Sequence, residues 1–285
     1  MALEQLVVFT TSRRETMQWL IALGIGMSAG LHTSTWGMYK DAPHEGFGQL
    51  RYFRSTIVST CVALFMYPFT GFDMTQPKNM ALLWGMVYVV ERALVEFYKG
   101  FVREEDQSKY FIPMQFAVNG KVVKNRKKRL AIGFVYAAVV CAIAGGVLAL
   151  DLMDVSLHPV VVVLIGSIGG WISAFGGAWK DAPIEGFETF KFFRSPSVAA
   201  FYAFVLSHYT DSLMLITFPA LGYCIASIET YKTFCFPNVP RGKFAGKPIE
   251  FPEMLERRKK YVPVFFGVWI FVIAFNALAL INAYS

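Results

Sequence analysis

The sequence predicts an all-α integral membrane protein of about eight transmembrane helices, arranged as two parallel four-helix repeats. Three observations carry this expectation: an apolar composition, eight apolar runs, and a segment that recurs almost unchanged in both halves of the chain.

Of the 285 residues, 55% are hydrophobic and 16% charged. Soluble domains carry about 25% charge, and the mean hydropathy of +0.45 also favours a bilayer as solvent. Twenty-seven phenylalanines, 13 tyrosines and six tryptophans supply rings for lipid-facing and interfacial surfaces. A net charge of +7 would suggest nucleic acid in a soluble protein. In a membrane protein it points to orientation and to contact with anionic headgroups, so no nucleic-acid partner is expected. Cys61, Cys141, Cys224 and Cys235 are widely spaced and form no CxxC or Cys/His pattern, so no metal is predicted.

The apolar runs fall at about 19–37, 56–70, 80–98, 130–150, 157–179, 197–210, 213–229 and 261–283. Most approach the roughly 20 residues needed to cross a bilayer core. The second, sixth and seventh are short and call for tilt, local thinning or a re-entrant hairpin. Residues 1–18 are read as an N-terminal segment, 19–150 as the first repeat and 151–285 as the second. With eight spans, all 27 basic residues except Arg13, Arg14, Lys78 and Arg92 belong to connections on one side. The positive-inside rule makes that side cytoplasmic and leaves both termini outside. A bacterial inner membrane or a plasma membrane is the expected location.

Self-similarity is the most informative feature. YKDAPHEGFGQLRYFRS at 39–55 returns as WKDAPIEGFETFKFFRS at 179–195, so Lys40, Asp41, Glu45 and Arg54 correspond to Lys180, Asp181, Glu185 and Arg194. Gly26 and Gly30 correspond to Gly166 and Gly170, a GxxxG in the preceding span of each half. Later, EFYKGF at 96–101 returns as ETYKTF at 229–234, and the basic run 126–129 returns at 257–260. An even number of spans per repeat inserts both halves the same way, about a pseudo-two-fold axis along the membrane normal. The glycine faces are expected either to join the halves or to pack within each half.

The KDAPxEGF segments read as helix starts, with Asp41 and Asp181 as caps and a proline in the first turn. Phe47, Leu50 and Arg54, like Phe187, Phe190 and Arg194, then share a helical face suited to the membrane interface. On the functional reading, Asp41, Glu45, Asp181 and Glu185 gather around one cytoplasmic vestibule and attract cations, or Lys40, Arg54, Lys180 and Arg194 hold phosphate headgroups. Glu91, Arg92, Glu96 and Glu229 are the intramembrane charges, and Arg92 is four residues before Glu96, the spacing of a helical ion pair. Cys224 and Ile225 replace Glu91 and Arg92 in the second half, so that charge belongs to one repeat only. His32 and His208 lie in or near spans on different helices, where a bond to a neighbour is the plain reading.

Three function classes follow from these features. The first is a channel or transporter for ions or small solutes. The second is a non-catalytic accessory or scaffold subunit that binds lipid, as a homodimer or in a larger membrane complex, with bound lipid its one candidate cofactor. The third is a metal-dependent lipid-modifying enzyme, for which the chain offers no P-loop, HExxH or serine elbow.

Overall fold

The computed structural model describes residues 2–153, 156–237 and 242–285, with side chains from residue 13 onward. The chain is all-α apart from one two-residue hairpin. Its helices are α1 (Ala2–Glu45), α2 (Gln49–Thr70), α3 (Pro77–Phe97), α4 (Arg126–Leu152), α5 (Pro159–Gly166), α6 (Ile168–Glu185), α7 (Thr189–Leu206), α8 (Leu213–Phe234), α9 (Met254–Arg257) and α10 (Val262–Tyr284). A π-turn at Tyr98–Val102 extends α3, and β1 (Ala117–Val118) pairs antiparallel with β2 (Lys121–Val122).

Among the described residues, four helical stretches are long and apolar enough to cross a membrane: Arg126–Leu152, Pro159–Glu185, Leu213–Phe234 and Met254–Tyr284. The exposed side chains of α4 and α10 include Phe134, Val139, Ile270, Ile273 and Ile281. Outward apolar faces of this extent fit a membrane-embedded protein. The remaining long helices α1, α2, α3 and α7 are more polar or shorter, and α3 carries Glu91 and Arg92 inside the fold.

α3 is the centre of the core. Trp84 is fully buried, stacks on Tyr88 and Tyr223 with ring centroids 5.0 Å apart in each case, and lies among Ile25, Leu83, Ile216 and Phe275. α3 crosses α8 at Gly85 and Gly222. A Cβ at Gly85 would lie 2.6 Å from Pro219 Cβ, and one at Gly222 would collide with the Gly85 carbonyl. The GxxxG pairs act elsewhere, each within its own half. Gly26 and Gly30 face Ala63 and Thr56 of α2, whereas Gly166 and Gly170 face Ala203 and Ala199 of α7. The prospect of these glycines joining the halves is thus corrected: Gly85 and Gly222, outside any GxxxG, provide the close approach of α3 to α8.

The connections gather at two ends. At one end, Arg14 pairs with Asp73 at 2.7 Å, and Asp151 accepts from Ser212 Oγ and from the Leu213 amide at the start of α8. At the other end, Lys243 reaches Asp41, Lys247 Nζ donates to the Ser108 carbonyl, and Gly120 lies against Ile184. This second end holds the basic connections, so we call it the basic end.

Replacing Gly222 with Ala is expected to cost about 1–3 kcal/mol through overpacking against backbone. Gly176→Ala, where nothing lies within 4 Å of the new Cβ, serves as control. Thermal unfolding in detergent should show a lowered midpoint for the first and an unchanged or slightly raised one for the second; equal midpoints would remove the crossing from its central place.

Candidate functional site

The KDAPxEGF segments end helices; they do not start them. Lys40–Glu45 is the last turn and a half of α1, and Lys180–Glu185 closes α6. Asp–Pro usually marks a helix start, but a proline in the last turn is tolerated when the carbonyl it leaves free finds another donor. Pro43 lacks the N–H that would bond the Tyr39 carbonyl, and Arg258 Nη1 donates to that oxygen at 3.0 Å. Gly46 then turns the chain at φ +72°, a left-handed conformation that glycine adopts without strain. Asp41 is therefore no cap. It pairs with Lys243 at 2.8 Å, while Glu45 takes Lys243 and Arg51, each at 3.5 Å. In the second half, Lys191 binds both Asp181 at 2.9 Å and Glu185 at 2.6 Å.

The four carboxylates do not share a vestibule. Asp41 and Glu45 line a cavity of about 390 Å³ in the first half, and Asp181 lines a separate one of about 140 Å³ in the second. Both cavities are built from matching positions, such as Gly37 and Gly177, Phe47 and Phe187, Arg51 and Lys191, Arg54 and Arg194, or Lys99 and Lys232. Their contents differ. Arg92 lines the first cavity where Ile225 lines the second, and Gly48 is replaced by Glu188. Arg103, Glu105 and Lys109 from the connection after α3, with Lys243, Glu250 and Phe251 from the one after α8, complete the first cavity. Seven basic and four acidic side chains line it, against three of each in the second.

The covering loops are held by specific bonds. The Glu250 and Phe251 amides both donate to the Pro43 carbonyl at 3.0 Å, and His44 stacks on Phe244. Glu105 takes Arg103, Lys109 and the Tyr110 hydroxyl. Burial alone would raise the Glu105 carboxyl, but those hydrogen bonds and charges outweigh it and hold the group below its usual range. The Tyr110 hydroxyl is pushed well up, by burial and then by the Glu45 and Glu105 charges. Acidic Glu104 and Glu105 are both engaged within the protein, Glu104 by Arg126 and Arg129.

Glu91, Arg92, Glu96 and Glu229, the charges expected within spans, form two linked groups. Arg92 makes a bidentate pair with Glu91 at 2.7 and 3.1 Å, and Glu96 is a more distant partner at 3.7 Å. The adjacent residue displaces the i+4 pair because Glu91 and Arg92 are both buried, and a fork of two charge-assisted bonds compensates their desolvation better than half-exposed Glu96. Lys99 bonds Glu96 at 3.1 Å, as Lys232 bonds Glu229 at 3.0 Å. Lys40 crosses to Glu229 at 3.4 Å, and the Lys180 charge reaches Glu96. Lys40 of α1 therefore pairs with the glutamate of α8 in the opposite half, whereas Lys180 of α6 acts on Glu96 only through longer-range charge.

Leu50, Phe187 and Phe190 are exposed, whereas Phe47 packs against the buried cluster of Met38, Ala42, Tyr52 and Met254. Phe47 and Phe187 lie in the turns before α2 and α7, and Leu50 and Phe190 in the first turns of those helices, so none belongs to a separate interfacial helix. Arg54 is exposed on the first cavity, and Arg194 lies over the Tyr231 ring. His32 is buried and bonded to the Tyr88 hydroxyl, whereas His208 bonds Tyr284. Among the described residues, no cluster of three or more His, Cys, Asp or Glu is placed to hold a metal. Two arginines of the basic runs turn inward: Arg129 donates to the Phe101 and Val123 carbonyls, and Arg258 to those of Tyr39 and Pro237. Their role as donors to backbone carbonyls is not foreseeable from charge alone. No family model, curated protein or solved structure matches this chain.

Arg92→Met should cost about 3–5 kcal/mol by leaving Glu91 buried without a partner, while Arg92→Met with Glu91→Leu should recover most of it. The yield of monodisperse protein and the unfolding midpoint report both; an unperturbed single variant would show that the pair is dispensable.

Proposed function

We propose that the chain is an eight-span integral membrane protein built as two parallel four-helix repeats, with the basic end in the cytoplasm, and that it is a non-catalytic accessory protein binding anionic lipid there. The repeat reading is supported by matched packing. Gly30 meets Thr56 and Gly170 meets Pro196, at equivalent positions, and the two cavities share their lining. The ion pairs of Glu96 with Lys99 and of Glu229 with Lys232 give the same support, since they recur at matching positions of the two halves.

The observation that carries the accessory reading over conduction is the α3–α8 crossing. The Trp84–Tyr223 stack and the Gly85–Gly222 approach fill the place where a path between the halves would run. The motif carboxylates, already paired with lysine or arginine, are poor bait for cations. Transport stays as the second reading because His32, Thr33, Ser34 and Thr35 form a buried polar ribbon in α1 that starts at the first cavity.

Reconstitution into liposomes distinguishes the two. The accessory reading expects ion and small-anion flux no greater than in protein-free liposomes, with anionic lipid retained through purification. Flux that falls when Asp41→Asn and Asp181→Asn are combined, at unchanged expression, would place transport first.

A further inference from the structure

We infer that the first half's cavity is a binding site for a phosphate ester. Its volume of about 390 Å³ falls in the roughly 300–1,000 Å³ range of small-molecule sites and exceeds the need of a bare inorganic ion. The basic surplus of its lining is only partly neutralised within the protein. Among the described residues, Arg54 has no ion pair or hydrogen bond, and Arg103 and Lys109 share the single carboxylate of Glu105. An anion of more than one charge can engage several such groups at once, and phosphate suits the arginine fork.

Backbone geometry adds to this. α2 begins on the cavity wall, and Gly48 in the cap position has no side chain to accept from the first-turn amides. The positive end of this 22-residue helix thus lies at the edge of the cavity, where Gly48 and Arg51 form part of the lining. Trp36 and Tyr52 give the organic part of the ester an apolar wall.

The second half supplies an internal contrast. There Glu188 occupies the position of Gly48, Ile225 replaces Arg92, and the smaller cavity balances its charges. The anion preference is therefore particular to the first half and is not imposed by the helical framework. The ester has two possible sources, a lipid headgroup or a water-soluble metabolite. The lipid source rests on the accessory reading above; the soluble source does not.

Two substitutions test the site without dismantling it. Arg54→Gln removes a side chain with no partner to lose. Gly48→Glu installs the residue of the second half, at φ −138° and with only Arg51 Cβ, 3.8 Å away, near the new Cβ. The full chain in phosphatidylcholine nanodiscs is titrated with glycerol 3-phosphate by calorimetry, and separately loaded with phosphatidic acid and read by native mass spectrometry. Each substitution should weaken binding about tenfold, the loss of one charge-assisted contact, while Glu188→Gly leaves it unchanged. Weakening in the glycerol 3-phosphate arm assigns a soluble ester, and weakening in the phosphatidic acid arm assigns a headgroup. No binding of either probe, or binding that both variants retain in full, overturns the site. Liposome flux is scored independently, so loss of the accessory reading leaves this result interpretable.

Discussion

The crossing of α3 and α8 governs much of what surrounds it. Helices packed through large side chains stay 8–10 Å apart, whereas here the backbones meet through Gly85 and Gly222, with Pro219 against the first. Close approach brings the C-terminal ends of both helices near the ends of α1 and α6. Lys40 of α1 can then reach Glu229 in the opposite half. Trp84 and Tyr223, stacked beside the glycines, provide the apolar area that a glycine contact lacks. Widening the crossing by one methyl group would act on the core and on the charge network together.

The basic end is held by exchange. The connection after α8, in the second half, lies on the first half's motif through Pro43, His44 and Asp41, while the hairpin after α3 lies on Pro183 and Ile184 of the second. Proline at the end of α1 makes this possible. It frees the Tyr39 carbonyl for Arg258, and its own carbonyl accepts two loop amides. A loop that satisfies helix-end carbonyls is held by directional bonds as well as by charge, which explains why Arg129 and Arg258 face inward within runs that otherwise read as headgroup anchors.

The helical class, the membrane-compatible runs and the importance of 39–55 and 179–195 were legible because each rests on local composition or on direct comparison of one half with the other. What the sequence concealed is partner choice. Gly26 and Gly30 are readable as a close-packing face, but nothing local says that α2 fills it. Asp41 and Pro43 have the chemistry of a helix start, and only Arg258 and Lys243, about 200 residues away, explain why they stand at an end. Arg92 illustrates the same limit at short range: its spacing to Glu96 is correct, yet burial favours the adjacent Glu91.

Difference between the halves bears most on function. A framework that positions matching side chains twice needs few substitutions to give one cavity a basic surplus and the other a balance of charge, because the backbone, the glycine contacts and the ion pairs of Glu96 with Lys99 and Glu229 with Lys232 are already in place. Burying Glu91 with Arg92 costs desolvation of two charges, offset by their bidentate bond and by Trp36, whose ring lies 5.6 Å from the guanidinium carbon. At the equivalent point of α8, Cys224 and Ile225 avoid that cost, with Cys224 buried against Ala199 and Ile228 and its thiol donating to the Ser195 carbonyl at 3.3 Å. A pair that packing could replace, yet which stands beside the larger and more basic cavity, is better explained by what the cavity holds than by stability.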